Sequence, residues 1–271
     1  MIDPRLAQVA GALIAKHRLT DPDKPGHVPL IGIAGAQGSG KTTLARALAT
    51  ALGGVQISLD DVYLTKAERE ALADDLHPLL ATRGPPLTHD LGLLARTVAA
   101  LRGAGPGTAT ALPAFDKRAD DRLPRASWPV STGRPSVILI DGWCLGALPQ
   151  AEADLVESIN ALERARDPDG RGRRLINDAL TTGYARAFAA LDATLFLAAP
   201  SFDVVLDWRC QQEADLMGLS PNALPDADRA RIADFIQVFE RITRSMLGGG
   251  VAADVIVRLD AHRTVTSLDA G

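Results

Sequence analysis

The chain is poor in the residues that mark special environments. Only two cysteines, Cys144 and Cys210, occur in 271 residues, far apart and in no Cys-x-x-Cys pair. That spacing indicates neither a disulfide framework nor a zinc site and fits a reducing cytoplasm. Aromatic residues make up 4% of the chain, and the formal net charge is −4. A chain of that balance has no basic footprint for a nucleic acid partner. No apolar run approaches the ~20 residues of a membrane span. The N-terminal stretch MIDPRLAQVAGALIAKHRL has an acidic residue early and no basic start, so it is not a secretory signal. Its Leu6, Val9, Ala10, Leu13 and Ile14 recur at spacings of three and four, which predicts an amphipathic packing helix. The expectation is a soluble, cytoplasmic protein with no nucleic acid and no membrane partner; oligomeric state has no signature in the sequence.

The length suits one domain or one domain with an insertion, able to bury roughly 70 to 75% of its unfolded surface. Short β-branched runs alternate with helical patterns: VPLIGIAG, VQISLDD, SVILIDGW, ATLFLAAP and ADVIVRLD. Near-continuous apolar strands of this kind belong to parallel sheets covered on both faces. The predicted fold class is therefore α/β, a doubly wound and mostly parallel sheet. Residues 1–271 are expected to form a single domain. A Pro-, Gly- and Arg-rich span at about 65–135 is expected as an insertion over the carboxyl edge of the sheet, and DPDKPGHVP at 21–29 as a connector. No internal repeat is present.

The strongest chemical signal is GAQGSGKT, Gly35 to Thr42, with an apolar strand before it and a helical pattern after it. This satisfies the G-x-x-x-x-G-K-[ST] phosphate loop in its required setting. Gly35, Ala36, Gln37, Gly38, Ser39, Gly40, Lys41, Thr42 and Thr43 are the candidate nucleotide-binding residues. Their backbone N–H groups and the helix N-terminus would cradle phosphates, Lys41 would reach the β- and γ-phosphates, and Thr42 would hold Mg2+. A dinucleotide-binding fold is the rival, because acidic residues follow about 20 positions later, but the Gly-Lys-Thr ending belongs to ATP-type nucleotides. The Asn-Lys-x-Asp and Asp-x-x-Gly signatures of GTPases and the Leu-Ser-Gly-Gly-Gln of transport ATPases are absent.

Asp60 and Asp61 end the second apolar run, outside the strand, where open α/β sheets bind ligands. A carboxylate there can take the proton of an acceptor hydroxyl, or the pair can simply punctuate a turn. Thr65 and Glu68 form a capping box for the next helix. Asp141 ends VILID, in the position expected of the acidic partner to Mg2+ beside Thr42, and equally begins an Asp-Gly turn. The stretch RGPPLTHD, Arg83 to Asp90, has two prolines and no apolar period, so it is poor material for a helix or a buried strand.

Taken in order, GAQGSGKT, SLDDVYL, RGPPLTHD, PAFDKRADDR and ILIDGWCLG resemble the D-glycerate 3-kinase family of plants and fungi. That family lies within the phosphoribulokinase and uridine kinase group of P-loop kinases. The resemblance covers most of the chain. The phosphate loop is common to the whole group, whereas RG-x-x-x-THD and the FDK segment are particular to the family. The resemblance implies that RGPPLTHD is the acceptor loop, with Arg83 pairing a carboxylate and Thr88, His89 and Asp90 bonding hydroxyls; each also has a structural reading, and His89 serves equally as a structural hydrogen-bonder. Lys117, Asp61 and Tyr63 join them as candidate substrate contacts. It makes Asp60 the catalytic base and implies that Arg209, on a lid-like helix, stabilises the transferring phosphoryl group together with Lys41. Arg209 is also placed for an ordinary surface pair with Glu213. Relatives generally carry Glu at the place of Asp141, and the shorter Asp meets Mg2+ either directly or through a water.

The function so implied is ATP- and Mg2+-dependent transfer of the γ-phosphoryl group to a hydroxyl of a small organic acid, D-glycerate first. A nucleoside or pantothenate kinase on the same scaffold is the alternative, disfavoured by the scarcity of aromatics. An ATP-dependent switch or chaperone without its own acceptor is the alternative from another class.

Overall fold

Each of the five apolar runs carries aliphatic side chains to both sides and so needs cover on both faces. In the computed structural model, which describes residues 3–19, 26–220 and 223–270, all five are strands of one sheet. The chain begins with α1 (Pro4–Leu19), β1 (Leu30–Gly35), α2 (Lys41–Leu52) and β2 (Val55–Ser58). Next come α3 (Lys66–Asp75), α4 (Leu91–Gly103), β3 (Ala109–Ala111), β4 (Phe115–Asp116), β5 (Asp121–Arg122) and β6 (Val130–Thr132). The rest comprises β7 (Ile138–Gly142), α5 (Ala161–Arg166), α6 (Arg171–Thr181), α7 (Gly183–Ala189), β8 (Ala193–Ala198), α8 (Val204–Met217), α9 (Asp226–Leu247), β9 (Val255–Leu259) and β10 (Val265–Ala270). Residues 21–25 of the predicted connector lie outside the described residues.

The main sheet runs β2-β7-β1-β8-β9-β10 and is parallel except for β10, which pairs antiparallel with β9. The doubly wound α/β expectation is met, with this antiparallel edge strand added. Successive strand residues serve opposite cores. Ile31, Ile33, Leu139, Leu195 and Leu197 join Leu6, Ala10, Leu13 and Ile14 of α1 and Leu44 of α2, so the predicted packing face of α1 is the buried one. Ile57, Ile138, Ile140 and Phe196 join Leu94, Val98 and Leu101 of α4 and Phe239 and Ile242 of α9. Both cysteines are buried and unbridged. Among the described residues no helix is long and apolar enough to cross a membrane.

The span 65–135 is not uniform. Its α4 belongs to the core and donates from Arg102 to the Val28 carbonyl, just ahead of β1, so it serves as the crossover helix from β2 to β7. The rest of the span holds α3, the loop that carries RGPPLTHD, and two ribbons, β3 with β6 and β4 with β5.

A buried ionic knot ties α5 and α6 to α9. Glu163 accepts from Arg241 at 2.6 and 2.7 Å and from Arg173 at 3.3 Å, and all three residues are buried. Removing the carboxylate leaves two desolvated guanidinium groups facing each other. Glu163→Gln is therefore expected to lower the unfolding free energy by about 3 kcal/mol or more, read from urea denaturation; an unchanged midpoint contradicts this.

Candidate active site

The phosphate loop occupies the carboxyl end of β1. Gly38 and Gly40 have φ of 77° and 90°, the left-handed region that side chains with a Cβ avoid. A Cβ on Gly38 would lie 2.6 Å from the Trp208 Cβ, because the loop packs directly against α8. A Cβ on Gly40 would meet nothing, so the loop is open on that side. Gly40 caps α2 without a side-chain hydrogen bond, leaving first-turn N–H groups for a ligand. Gln37 Oε1 and Ser39 Oγ are buried with no hydrogen-bond partner among the described residues. Orphaned polar atoms, free amides and the positive end of the helix dipole fit a polyphosphate. The Lys41 ammonium donates to the Ala36 carbonyl at 3.2 Å. Burial pushes its pKa down against the pull of Asp141 and Asp60, and an incoming phosphate would relieve that cost.

Asp141 is 1% exposed and sits opposite Ile33 of β1 and Ser58 of β2 in the register. Its Oδ2 accepts from Thr42 Oγ1 at 2.6 Å and from Ser58 Oγ at 3.3 Å, and its Oδ1 from Gln56 Nε2 at 2.6 Å. Thr42 and Asp141 are thus in direct contact. A carboxylate oxygen and a hydroxyl side by side at the mouth of the phosphate loop suit a hard divalent cation. Gln56 and Ser58, which orient the carboxylate, escaped the sequence reading; their alternation on β2 was the available signal.

Asp60 faces the same cleft, a cavity of about 440 Å³ that Gln37 to Thr43, Tyr63, Arg83, Lys117, Asp141 and Arg209 also line. Lys117 Nζ donates to its Oδ2 at 2.9 Å and the Tyr63 hydroxyl to its Oδ1 at 3.0 Å. Burial pushes the Asp60 carboxyl up, but the charges of Lys117 and Lys41 outweigh it and hold the pKa below the usual carboxylate range. Lys117 responds in the opposite sense, its pKa raised chiefly by Asp60.

Asp61 points elsewhere. Its carboxylate accepts from the Ser58 N–H at 3.2 Å and closes a capping box on the 3-10 turn Leu59–Val62. It is not among the cleft-lining residues, so its expected substrate contact is replaced by a cap. Burial raises its pKa to about 6, assisted by the Asp60 charge and opposed by the Ser58 bond. A raised carboxyl favours folding below its unfolded pKa, and that contribution is lost as pH climbs through 6. Asp61→Asn is therefore expected to melt at a higher temperature than the wild type at pH 8, with the gain gone at pH 4. An equal gain at both pH values contradicts this.

RGPPLTHD divides in two. Arg83 reaches the cleft, where it pairs with Asp120 through Nη1 and lies over the rings of Phe115 and Phe235 at 5.9 and 5.4 Å. Thr88, His89 and Asp90 do not reach it, which corrects their expected role. Thr88 is fully buried, donating to the Pro85 carbonyl at 2.7 Å and accepting from the Gly84 N–H at 3.2 Å. Asp90 caps α4 through the Leu93 N–H at 2.7 Å. His89 stacks on Tyr63 with ring centroids 4.5 Å apart, and its Nδ1 lies 2.6 Å from the Tyr184 hydroxyl. Burial pushes the imidazole pKa down to about 4, so it is neutral at physiological pH. The physical reason is local: Thr88 serves the backbone of its own loop and Asp90 the first turn of α4, while His89 is buried between Tyr63 and Tyr184 and its backbone bridges to Tyr63. The loop supports Tyr63, which supports Asp60.

Arg209 lies on α8, bonded to Gln212 at 2.6 Å and 3.6 Å from Glu213, so the pair with Glu213 and the place in the cleft are both realised. Arg263, in the turn before β10, donates from Nε to the Gly38 carbonyl at 2.6 Å and from Nη1 to Gln211 at 2.8 Å. It braces the phosphate loop from the far end of the chain, and nothing in the sequence signals it.

Comparison with known proteins gives the following likenesses. The chain is 31% identical over 227 residues to the uncharacterized kinase mug58 of Schizosaccharomyces pombe, covering 79% of this chain and 80% of that one. It is 34% identical over 214 residues to the chloroplastic D-glycerate 3-kinase of Arabidopsis thaliana, covering 74% of this chain and 44% of that protein. The solved structure of D-glycerate 3-kinase from Cryptococcus neoformans superposes with a TM-score of 0.79 over 99% of both chains at 22% identity, a likeness of fold. No family model matches the chain.

Proposed function

This chain belongs to the D-glycerate 3-kinase family of P-loop kinases, and from that premise we propose that it transfers the γ-phosphoryl group of ATP to the 3-hydroxyl of D-glycerate. The observation that carries the proposal is the single cleft joining a phosphate cradle, a carboxylate at Asp60 and an arginine at Arg83. A small anionic acceptor fits between them. Gly38, Gly40 and Lys41 would hold the phosphates. Thr42 and Asp141 would hold Mg2+, whose chemistry is to neutralise charge on the phosphate oxygens. Arg83 would pair the acid's carboxylate, since its planar fork matches a carboxylate edge.

The step balances as an in-line displacement. The acceptor hydroxyl oxygen forms a bond to the γ-phosphorus, its proton passes to Asp60, and the bond to the β–γ bridging oxygen breaks with the electron pair leaving on ADP. In the free protein Lys117 neutralises Asp60. An arriving γ-phosphate offers Lys117 a stronger partner, and its departure would raise the basicity of Asp60 when a base is needed. Arg209 would then stabilise charge on the transferring group. Most of the acceleration comes from positioning and preorganised charge. A reducing cytoplasm suits its two unbridged cysteines, and a small organic acid is its partner.

Tyr63, Trp143, Phe235 and Phe239 line the cleft, but Arg83 lies over the Phe235 ring and the Tyr63 hydroxyl is bonded to Asp60. The acceptor end thus presents a guanidinium beside its ring faces, which favours an acid over a nucleoside. The test is ADP release measured with D-glycerate, L-glycerate, uridine or pantothenate. Release with D-glycerate is expected; release with uridine alone, or independent of any acceptor, contradicts the proposal.

A further inference from the structure

Asp120 is the unexplained charge at the acceptor end. It sits in the turn between β4 and β5 with φ of 55°, an unusual conformation for a residue other than glycine. Its Oδ2 lies 3.0 Å from Arg69 Nη2, and its Oδ1 meets Arg83 Nη1. Arg69 is fully buried and also donates to the carbonyls of Leu64, Ala81 and Asp120. Two cations therefore share one carboxylate, and the group of three carries one net positive charge.

The placement leaves Arg83 half used. Asp120 takes its Nη1, and no described residue bonds its Nε or Nη2. A guanidinium edge with two parallel donors is the shape a carboxylate binds bidentately. The other cleft cations have partners of their own: Lys117 has Asp60 and Arg209 has Glu213, while Lys41 stands at the phosphate cradle. Arg263, which also lines the cleft, is held at the phosphate loop by the Gly38 carbonyl and Gln211, so the acceptor's charge is matched chiefly against the Arg69–Asp120–Arg83 group.

We propose that Asp120, held between Arg69 and Arg83, sets the acceptor site to a single positive charge and thereby selects a monocarboxylate over a dicarboxylate of similar size. Asp120 is a specificity-determining residue that need not touch the acceptor. It cancels the second arginine, so a ligand carrying a second carboxylate finds no cation for it and loses hydration without recompense. The inference rests on the hydroxy-acid reading of this site.

The test uses two competitive inhibitors of D-glycerate turnover. D-lactate is glycerate with hydrogen in place of the primary hydroxyl, and tartronate carries a second carboxylate in place of the hydroxymethyl group, so neither has a primary hydroxyl to phosphorylate. Asp120→Asn removes the charge while suiting the left-handed backbone, which Asn tolerates. The inhibition-constant ratio of D-lactate to tartronate is expected to move about tenfold or more toward tartronate, which is about 1.4 kcal/mol. A poorly folded variant weakens both ligands and leaves the ratio, so a general loss does not imitate the effect. If the variant has no turnover, the same ratio is read by calorimetric titration. A ratio within twofold of the wild type overturns the role of Asp120. A wild type that ignores D-glycerate overturns the functional reading instead, and the two failures are distinguishable.

Discussion

Lys41→Ala is expected to lower kcat/KM for ATP-dependent turnover on the order of 10³-fold or more, the range found when a preorganised donor is removed from developing charge. The side chain is desolvated by its loop, which depresses its pKa, and among the described residues its hydrogen bond is to the Ala36 carbonyl. An ammonium in that state gains by meeting phosphate and contributes little to holding the protein together. The fold is therefore expected to survive: the melting temperature of the alanine variant stays at or above that of the wild type while turnover collapses. Steady-state kinetics and a thermal melt on the same preparation check both halves. Retained turnover removes the phosphate loop from the reaction.

Asp60→Asn is expected to cut kcat by about 10²-fold or more, the usual worth of a general base, with a smaller change in KM. Asparagine keeps an oxygen to accept from the Tyr63 hydroxyl, so the local geometry persists, but it cannot take the acceptor's proton. It also frees Lys117, whose pKa is held up chiefly by Asp60. Single-turnover measurement separates the chemical step from product release. A normal single-turnover rate in this variant would remove the base assignment. Asp61, the neighbouring carboxylate, is engaged as a cap.

How far the sequence could be read followed from whether a residue's role was local. The parallel strands were legible because apolar runs bounded by turn residues carry their own signature. The phosphate loop was legible because Gly38 and Gly40 answer to backbone angles that the motif encodes. Asp60, Lys117 and Arg83 line one cleft; Asp60 was legible from its place at a strand end, whereas Lys117 and Arg83 came only through resemblance, since they lie far apart in sequence. Thr88, His89 and Asp90 are engaged inside the fold, by the Pro85 carbonyl, the Tyr184 hydroxyl and the first turn of α4, and a polar side chain used in that way looks like ligand chemistry from sequence alone. Asp120 and Arg263 act through partners 37 and 225 positions away, distances across which composition and periodicity carry no signal. The polar half of VTSLDA hid β10, whose outer edge is unpaired in the sheet order.

A crystal structure with D-glycerate and a non-hydrolysable ATP analogue tests the arrangement most directly. The γ-phosphate is expected at Lys41, the carboxylate on the free Nε and Nη2 edge of Arg83, and the primary hydroxyl within hydrogen-bond reach of Asp60. Glycerate bound away from Arg83, or with its primary hydroxyl turned from Asp60, contradicts the account.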